Sequence, residues 1–234
     1  MSATAKLTVV ESKLLVREPG SLFTVAIPLF ILIVFGSSIG PDDTTLLPMT
    51  IATAISLVGL YLMPTALATY REKGILRRLS TTPLKPSSLL IVQLVLQFML
   101  VLVSCTALLA VAGAVLGARL PANAMSLIVV FVLGTGSMFA VGLLIAALAP
   151  SGRAANGIGV LLYFPMAYLA GLMQPVSQMP AILVRVGEFT PLGAFLQSLQ
   201  HVWSGAAPDP LLLGVMAAYA VLLSLAAARY FRWE

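Results

Sequence analysis

Charged side chains are scarce in this chain of 234 residues: only 9% are Asp, Glu, Lys or Arg, whereas 60% are hydrophobic. Soluble globular domains carry about 25% charged and about 45–50% apolar residues. So few charges cannot cover a water-exposed surface, and so many apolar residues exclude a disordered chain or a fibrous repeat. The composition therefore predicts an all-α protein with several membrane-spanning segments.

Cysteine and histidine occur once each, as Cys105 and His201. A single cysteine cannot form an intrachain disulfide, and a histidine without a second ligand at suitable spacing argues against a zinc site. The chain also lacks the phosphate-binding pattern G-x-x-x-x-G-K-[ST]. We therefore expect no catalytic residue, no metal site and no cofactor site in this chain.

Six stretches are long enough to cross a membrane and contain no Asp, Glu, Lys or Arg. Crossing the hydrocarbon core takes about 20 mostly apolar residues, and an isolated spanning segment must be helical because its backbone groups find no other partners in lipid. We predict transmembrane helices at residues 21–40, 46–70, 88–117, 124–149, 155–173 and 211–228. The segments between them, 71–86 and 174–210 in particular, contain most of the prolines and charges.

The positions of the basic residues predict the orientation. The net charge of +5 lies in short segments between apolar runs, which is typical of membrane topology and does not indicate a nucleic-acid partner. With the N-terminus inside, eleven of the 13 Lys and Arg residues are cytoplasmic, and only Arg119 and Arg185 are outside. Both termini are then cytoplasmic. The alternative that the first span is a cleaved signal peptide is disfavoured by its length and by the lack of an A-x-A site.

The predicted spans contain no ionisable residue of the kind that drives proton or ion coupling. An ion-coupled secondary transporter remains an alternative, because backbone carbonyls of broken helices can hold sodium. An intramembrane enzyme is disfavoured because no span contains Asp or His, and a purely structural subunit is a further alternative. Without its own phosphate-binding loop, a chain that moves a solute uphill needs a cytoplasmic partner to supply the energy.

Residues 71–86, between the second and third predicted spans, are the best candidate for that contact. They include a short helical pattern in which Glu72 has only Ile75 and Leu76 one turn further on, and so no basic partner there. The alternative interpretation is a basic loop that touches lipid and fixes topology.

The run Arg-Glu-Lys-Gly-Ile-Leu-Arg-Arg-Leu-Ser-Thr-Thr-Pro-Leu, from Arg71 to Leu84, closely resembles the segment after the second span of type-2 ABC transporter permeases. Gly171-Leu-Met-Gln-Pro175, Met179-Pro180 and Phe189-Thr-Pro-Leu192 resemble the external stretch between the last two spans of that family. The resemblance covers essentially the whole chain and is closest to the drug- and antibiotic-exporting branch.

The resemblance implies that residues 71–86 form a coupling helix on a separate ATP-hydrolysing subunit, with Glu72 paired to a group of that subunit and the turn at 150–153 making a second contact. Residues 1–20 would form an interfacial connecting helix, with a flexible tail as the alternative. The ATPase contact is expected to involve Arg71, Glu72, Lys73, Gly74, Leu76, Arg77, Arg78, Leu79, Pro83 and Arg153.

The resemblance also implies an external re-entrant segment at residues 174–210, and the alternative is an interfacial loop anchored by Trp203. That segment is expected to depend on Pro175, Pro180, Arg185, Glu188 and Pro191. Further partners implied are a second permease chain, identical or paired, membrane lipid, and an apolar or amphipathic substrate such as a drug, an antibiotic or a lipid. The expected location is the bacterial inner or plasma membrane.

Overall fold

The computed structural model describes residues 3–37, 40, 43–75, 86–121 and 123–230. Within these ranges the chain is helical, with one short 3-10 turn at Val176–Gln178 and no strand. The helices, numbered in chain order, are α1 (Ala3–Arg17), α2 (Pro19–Gly36), α3 (Leu46–Glu72), α4 (Pro86–Ala114), α5 (Ala124–Leu148), α6 (Gly152–Leu169), α7 (Ala181–Glu188), α8 (Pro191–Trp203) and α9 (Pro210–Tyr230). The prediction of an all-helical fold is confirmed for these residues.

Five of these helices are long and apolar enough to cross a membrane by length and composition: α2, α3, α4, α5 and α9. The fifth predicted span, residues 155–173, corresponds to α6, which falls short of the same test. Its first residues include Arg153 and Asn156, and both lower its hydropathy. The count of six spans therefore stays a prediction.

The two ends of α6 differ from the predicted bounds for local reasons. Ser151 accepts a hydrogen bond from the Ala154 N–H at 3.1 Å, so the helix starts earlier than predicted. Gly171 has a φ of 86° and donates to Tyr168, while Leu172 donates to the Ala167 carbonyl. This pair of hydrogen bonds ends a helix through a left-handed glycine and explains why α6 stops before Met173.

Helix α3 is the centre of the fold. Seventy-eight per cent of its most apolar stretch is buried inside the protein, and it contacts α2, α4, α5, α6 and α8. Its middle is a π-helical turn, Leu57–Leu62. The backbone carbonyls of this turn lie against two glycines: Gly142 of α5 faces Gly59, and Gly159 of α6 faces Leu60. Only glycine lets three backbones approach so closely.

The external segment folds into α7 and α8. Helix α8 packs against α5, α3 and α9, and most of its residues are buried. The Phe195 ring covers Gly134 of α5, where a Cβ atom would overlap it. Trp203 is only 8% exposed, so it packs within the protein. The re-entry of this segment into the membrane stays a prediction.

Thr190 connects α7 to α8 with two hydrogen bonds. Its hydroxyl donates to the Gly187 carbonyl at 2.7 Å and accepts from the Gly193 N–H at 3.0 Å. The second bond satisfies a free N–H group in the first turn of α8.

We expect Thr190→Ala to lower the free energy of unfolding by about 1 kcal/mol, the usual cost of removing a helix cap. Thermal unfolding in detergent micelles measures this, and Thr190→Ser, which keeps the hydroxyl, is the control. Equal midpoints for the Ala variant and the wild type would contradict the capping role.

Candidate functional site

The candidate site is built at the end of α3, where Arg71 points to the last turn of α5. One guanidinium nitrogen of Arg71, Nη1, donates to the Ala147 carbonyl at 2.9 Å, and Nη2 donates to the Ala149 carbonyl. The last carbonyls of a helix have no partner within it and carry partial negative charge. Arg71 therefore neutralises the end of α5 with a cation and fixes it to α3.

Glu72, the next residue, binds the start of α6. Its Oε2 accepts a hydrogen bond from the Gly152 backbone N–H at 2.9 Å. The first N–H groups of a helix carry partial positive charge, so a carboxylate is favourable there. Gly152 fits closely against α3, because a Cβ on it would overlap the Thr69 hydroxyl. Glu72 thus acts as a cap supplied by another helix.

Tyr70 extends the same junction to α1. Its hydroxyl donates to Glu11 Oε2 at 2.6 Å, and Glu11 is only 8% exposed. Leu7 of α1 and Leu89 of α4 join the Tyr70 ring in a small apolar cluster. Near the same junction, burial raises the pKa of the Glu18 carboxyl above its ordinary value. Helix α1 is therefore packed on the bundle.

Three further residues predicted for the ATPase contact lie close to this junction. Lys73 and Arg153 are exposed. Gly74 has a φ of 64°, a left-handed conformation that ends α3 and that glycine adopts without strain. The remaining predicted contact residues lie outside the described residues: Leu76, Arg77, Arg78, Leu79 and Pro83.

The second group of predicted residues, those of the external segment, lies near the opposite end of α3. That helix has 27 residues and is about 40 Å long at the usual rise per residue. A cavity of about 410 Å³ lies beside its first turns. The cavity is lined by Thr45, Met49, the segment 170–176 and Gln200. The proline of the first external motif, Pro175, is in that lining.

The five residues predicted for the external segment differ in their exposure. Pro175, Pro180 and Arg185 are exposed, Glu188 is half-buried, and Pro191 is buried at the first position of α8. Proline is favourable there because that position has no helical partner for an N–H group. Of the five, Pro191 has the clearest structural role.

A second, more apolar cleft of about 160 Å³ separates α4 from α5. Its lining includes Ile51 of α3, Cys105 of α4, Phe131 of α5 and Trp203 of α8. Among the residues that the structure describes, no charged one lines it. Such a cleft suits an apolar group.

Among the described residues, no group of three or more His, Cys, Asp and Glu side chains is arranged to hold a metal ion. Within that part of the chain, the polar groups gathered at the end of α3 bind helix ends and each other. The arrangement connects the end of α3 to α1, α5 and α6.

Arg71 and Glu72 were predicted for an ATPase contact, which stays a prediction, and their partners within the chain were not predicted. The partners are backbone groups at Ala147, Ala149 and Gly152, and a backbone carbonyl gives no signal in a sequence. Ser151-Gly152 after an apolar stretch is a helix-start pattern, and it could have indicated an N-terminus in need of a carboxylate.

A family model described as ABC-2 type transporter matches residues 4–203. The match includes α1 to α8, the junction at the end of α3 and the external segment. No curated protein matches the chain.

Proposed function

Because the chain belongs to the ABC-2 type transporter family, we propose that it is the permease subunit of an ATP-driven exporter. In this proposal the chain forms the pathway for an apolar or amphipathic substrate, such as a drug, an antibiotic or a lipid. A separate ATPase subunit supplies the energy.

The observation that carries the proposal is the junction of α3, α5 and α6. Arg71 and Glu72 bring the start of the predicted coupling segment beside the turn at 150–153. Exposed Lys73 and Arg153 lie next to these contacts. One surface thus presents the turn at 150–153 together with the first residues of the segment that the proposal assigns to the ATPase subunit. The sequence contains no G-x-x-x-x-G-K-[ST] loop.

Charge supports placing this junction in the cytoplasm. Eleven of the 13 Lys and Arg residues are inside when both termini are cytoplasmic. We place α6 as a sixth span in this arrangement, with its polar first turn at the cytoplasmic end. The location proposed is a bacterial inner or plasma membrane.

The absence of charge in the predicted spans and the lining of the two cavities support the proposed substrate class. The cleft between α4 and α5 has an apolar lining, and the cavity beside the start of α3 has a mixed one. Helices α2 and α9 bury only 28% and 17% of their most apolar stretches. These exposed faces are available to lipid and to a second permease chain, with which we propose that this one pairs.

ATP dependence tests the proposal. We expect vesicles that contain the chain together with its ATPase subunit to move an amphipathic dye only when ATP is present. A Walker-motif lysine variant of that ATPase is the control, and it should abolish movement. Uphill movement by the chain alone would contradict the proposal and favour the ion-coupled secondary transporter.

A further inference from the structure

Arg71 and Glu72 hold both ends of one short connection. The chain between α5 and α6 is only residues 149–151. The Arg71 guanidinium binds carbonyls on one side of it, and the Glu72 carboxylate binds the Gly152 N–H on the other. We call this set of contacts the clasp.

Each half of the clasp matches the charge of the helix end that it binds. A cation at a helix C-terminus and an anion at a helix N-terminus are both favourable. Exchanging the two residues would place each charge at the wrong end. Their order in the chain therefore fits the order of α5 and α6.

The clasp is reinforced on both sides. Gly152 lies against Thr69 with no room for a Cβ atom. Tyr70 binds Glu11 of α1, and Ala147 joins the apolar cluster of Leu89. Residues 69–72 thus contact α1, α5 and α6 within a single helical turn.

We infer that Arg71 and Glu72 are positioning residues that make the α5–α6 turn move together with the end of α3, so that a displacement delivered to one cytoplasmic segment reaches α5 and α6. The part of the inference that concerns transport rests on the proposed function. Within this chain, the inference assigns Glu72 the role of holding the α5–α6 turn to the end of α3. Glu72 is itself exposed, so the ATPase subunit then meets the outer side of the clasp and the exposed residues beside it.

A distance measurement tests the clasp without any ATPase. Lys73 and Arg153 are both exposed and lie on the two clasped segments. Cys105 is the only cysteine, so spin labels on Lys73→Cys and Arg153→Cys in a Cys105→Ala chain report the separation of the segments. We expect one narrow distance distribution in this background, and a clearly broader one when Glu72→Ala is added.

Asp209→Ala is the matched control. Asp209 Oδ1 accepts a hydrogen bond from the Leu211 N–H at 2.8 Å, so it also binds the start of a helix with a carboxylate. It does so at α9, away from the clasp. Asp209→Ala should leave the distance between the labels unchanged. Glu72→Gln keeps an acceptor oxygen, so it should broaden the distance distribution less than Glu72→Ala does.

Transport with the ATPase subunit tests the consequence. We expect Glu72→Ala to lower the dye moved per ATP hydrolysed by about fivefold or more, the lower end of typical coupling between sites. We expect the affinity of this variant for the ATPase subunit to stay within about twofold of wild type, a change that is small compared with typical coupling between sites.

Two results would overturn the inference. One is an unchanged distance distribution in Glu72→Ala, whatever happens to ATPase affinity. The other is full coupling in that variant despite a broadened distribution. If the wild type shows no ATP-driven transport, the proposed function fails, and the distance measurement still decides whether the clasp holds the two segments together.

Discussion

Gly159→Ala is expected to destabilise the protein by about 2–3 kcal/mol, the upper part of the usual range for overpacking a well-packed core. A Cβ at this position would overlap the carbonyl oxygen of Leu60 in the π-helical turn of α3. The obstacle is backbone, so no side chain can rotate away, and α6 must separate from α3. Gly142→Ala, which meets the Gly59 carbonyl from α5, should have a similar effect.

Gly157→Ala is the control on the same helix. A Cβ at Gly157 meets no atom of the described residues within 4 Å, and alanine is favoured over glycine inside a helix by up to about 1 kcal/mol. This variant should be neutral or slightly more stable. A thiol dye that reacts with the buried Cys105 as the protein unfolds on heating gives an unfolding midpoint for each of the three variants. Equal midpoints for the Gly157 and Gly159 variants would contradict the close contact of α6 with α3.

Gly134→Ala is expected to loosen α8 from α5. The added Cβ would overlap the Phe195 ring, which is fully buried. We expect a loss of about 1–3 kcal/mol from overpacking. Gly136→Ala is the control two residues away, because within the described part of the chain its Cβ would meet only Ala220 at 3.8 Å, an ordinary contact.

A double-mutant cycle identifies the ring as the cause. In a Phe195→Leu background, Gly134→Ala should cost less than in the wild type, with a coupling energy of about 1 kcal/mol, within the range for residues in contact. The same unfolding measurement applies. Additive losses would show that the two residues do not meet.

The sequence predicted what depends on composition and on local signals. The lack of charge predicts apolar helices, and Pro180 and Pro191 predict where the external segment is divided. Ser151 and Thr190 are good caps and could have indicated two helix starts, but the fifth span was predicted to begin at residue 155 and α6 begins at Gly152. These features depend on a few neighbouring residues, so they are present in the sequence itself.

Features that depend on long-range approach were not predictable. Gly134 and Gly136 are equivalent in a sequence, yet only Gly134 lies under an aromatic ring. Glu72 had no suitable neighbour one turn away, and its observed contact, Gly152, is 80 residues further along the chain. Such contacts depend on which helices meet and at what rotation.

The wide turn in the middle of α3 has a consequence for the orientation of its two halves. A π turn takes in one more residue than an α turn, and one residue corresponds to about 100° of rotation around an α-helix. The side chains from Met63 onward therefore point in other directions than they would in an uninterrupted α-helix that began at Leu46. A single helical wheel drawn through α3 would misassign the side on which Arg71 and Glu72 lie, whereas deleting one residue from Leu57–Leu62 would restore an ordinary α turn and leave both facing their partners.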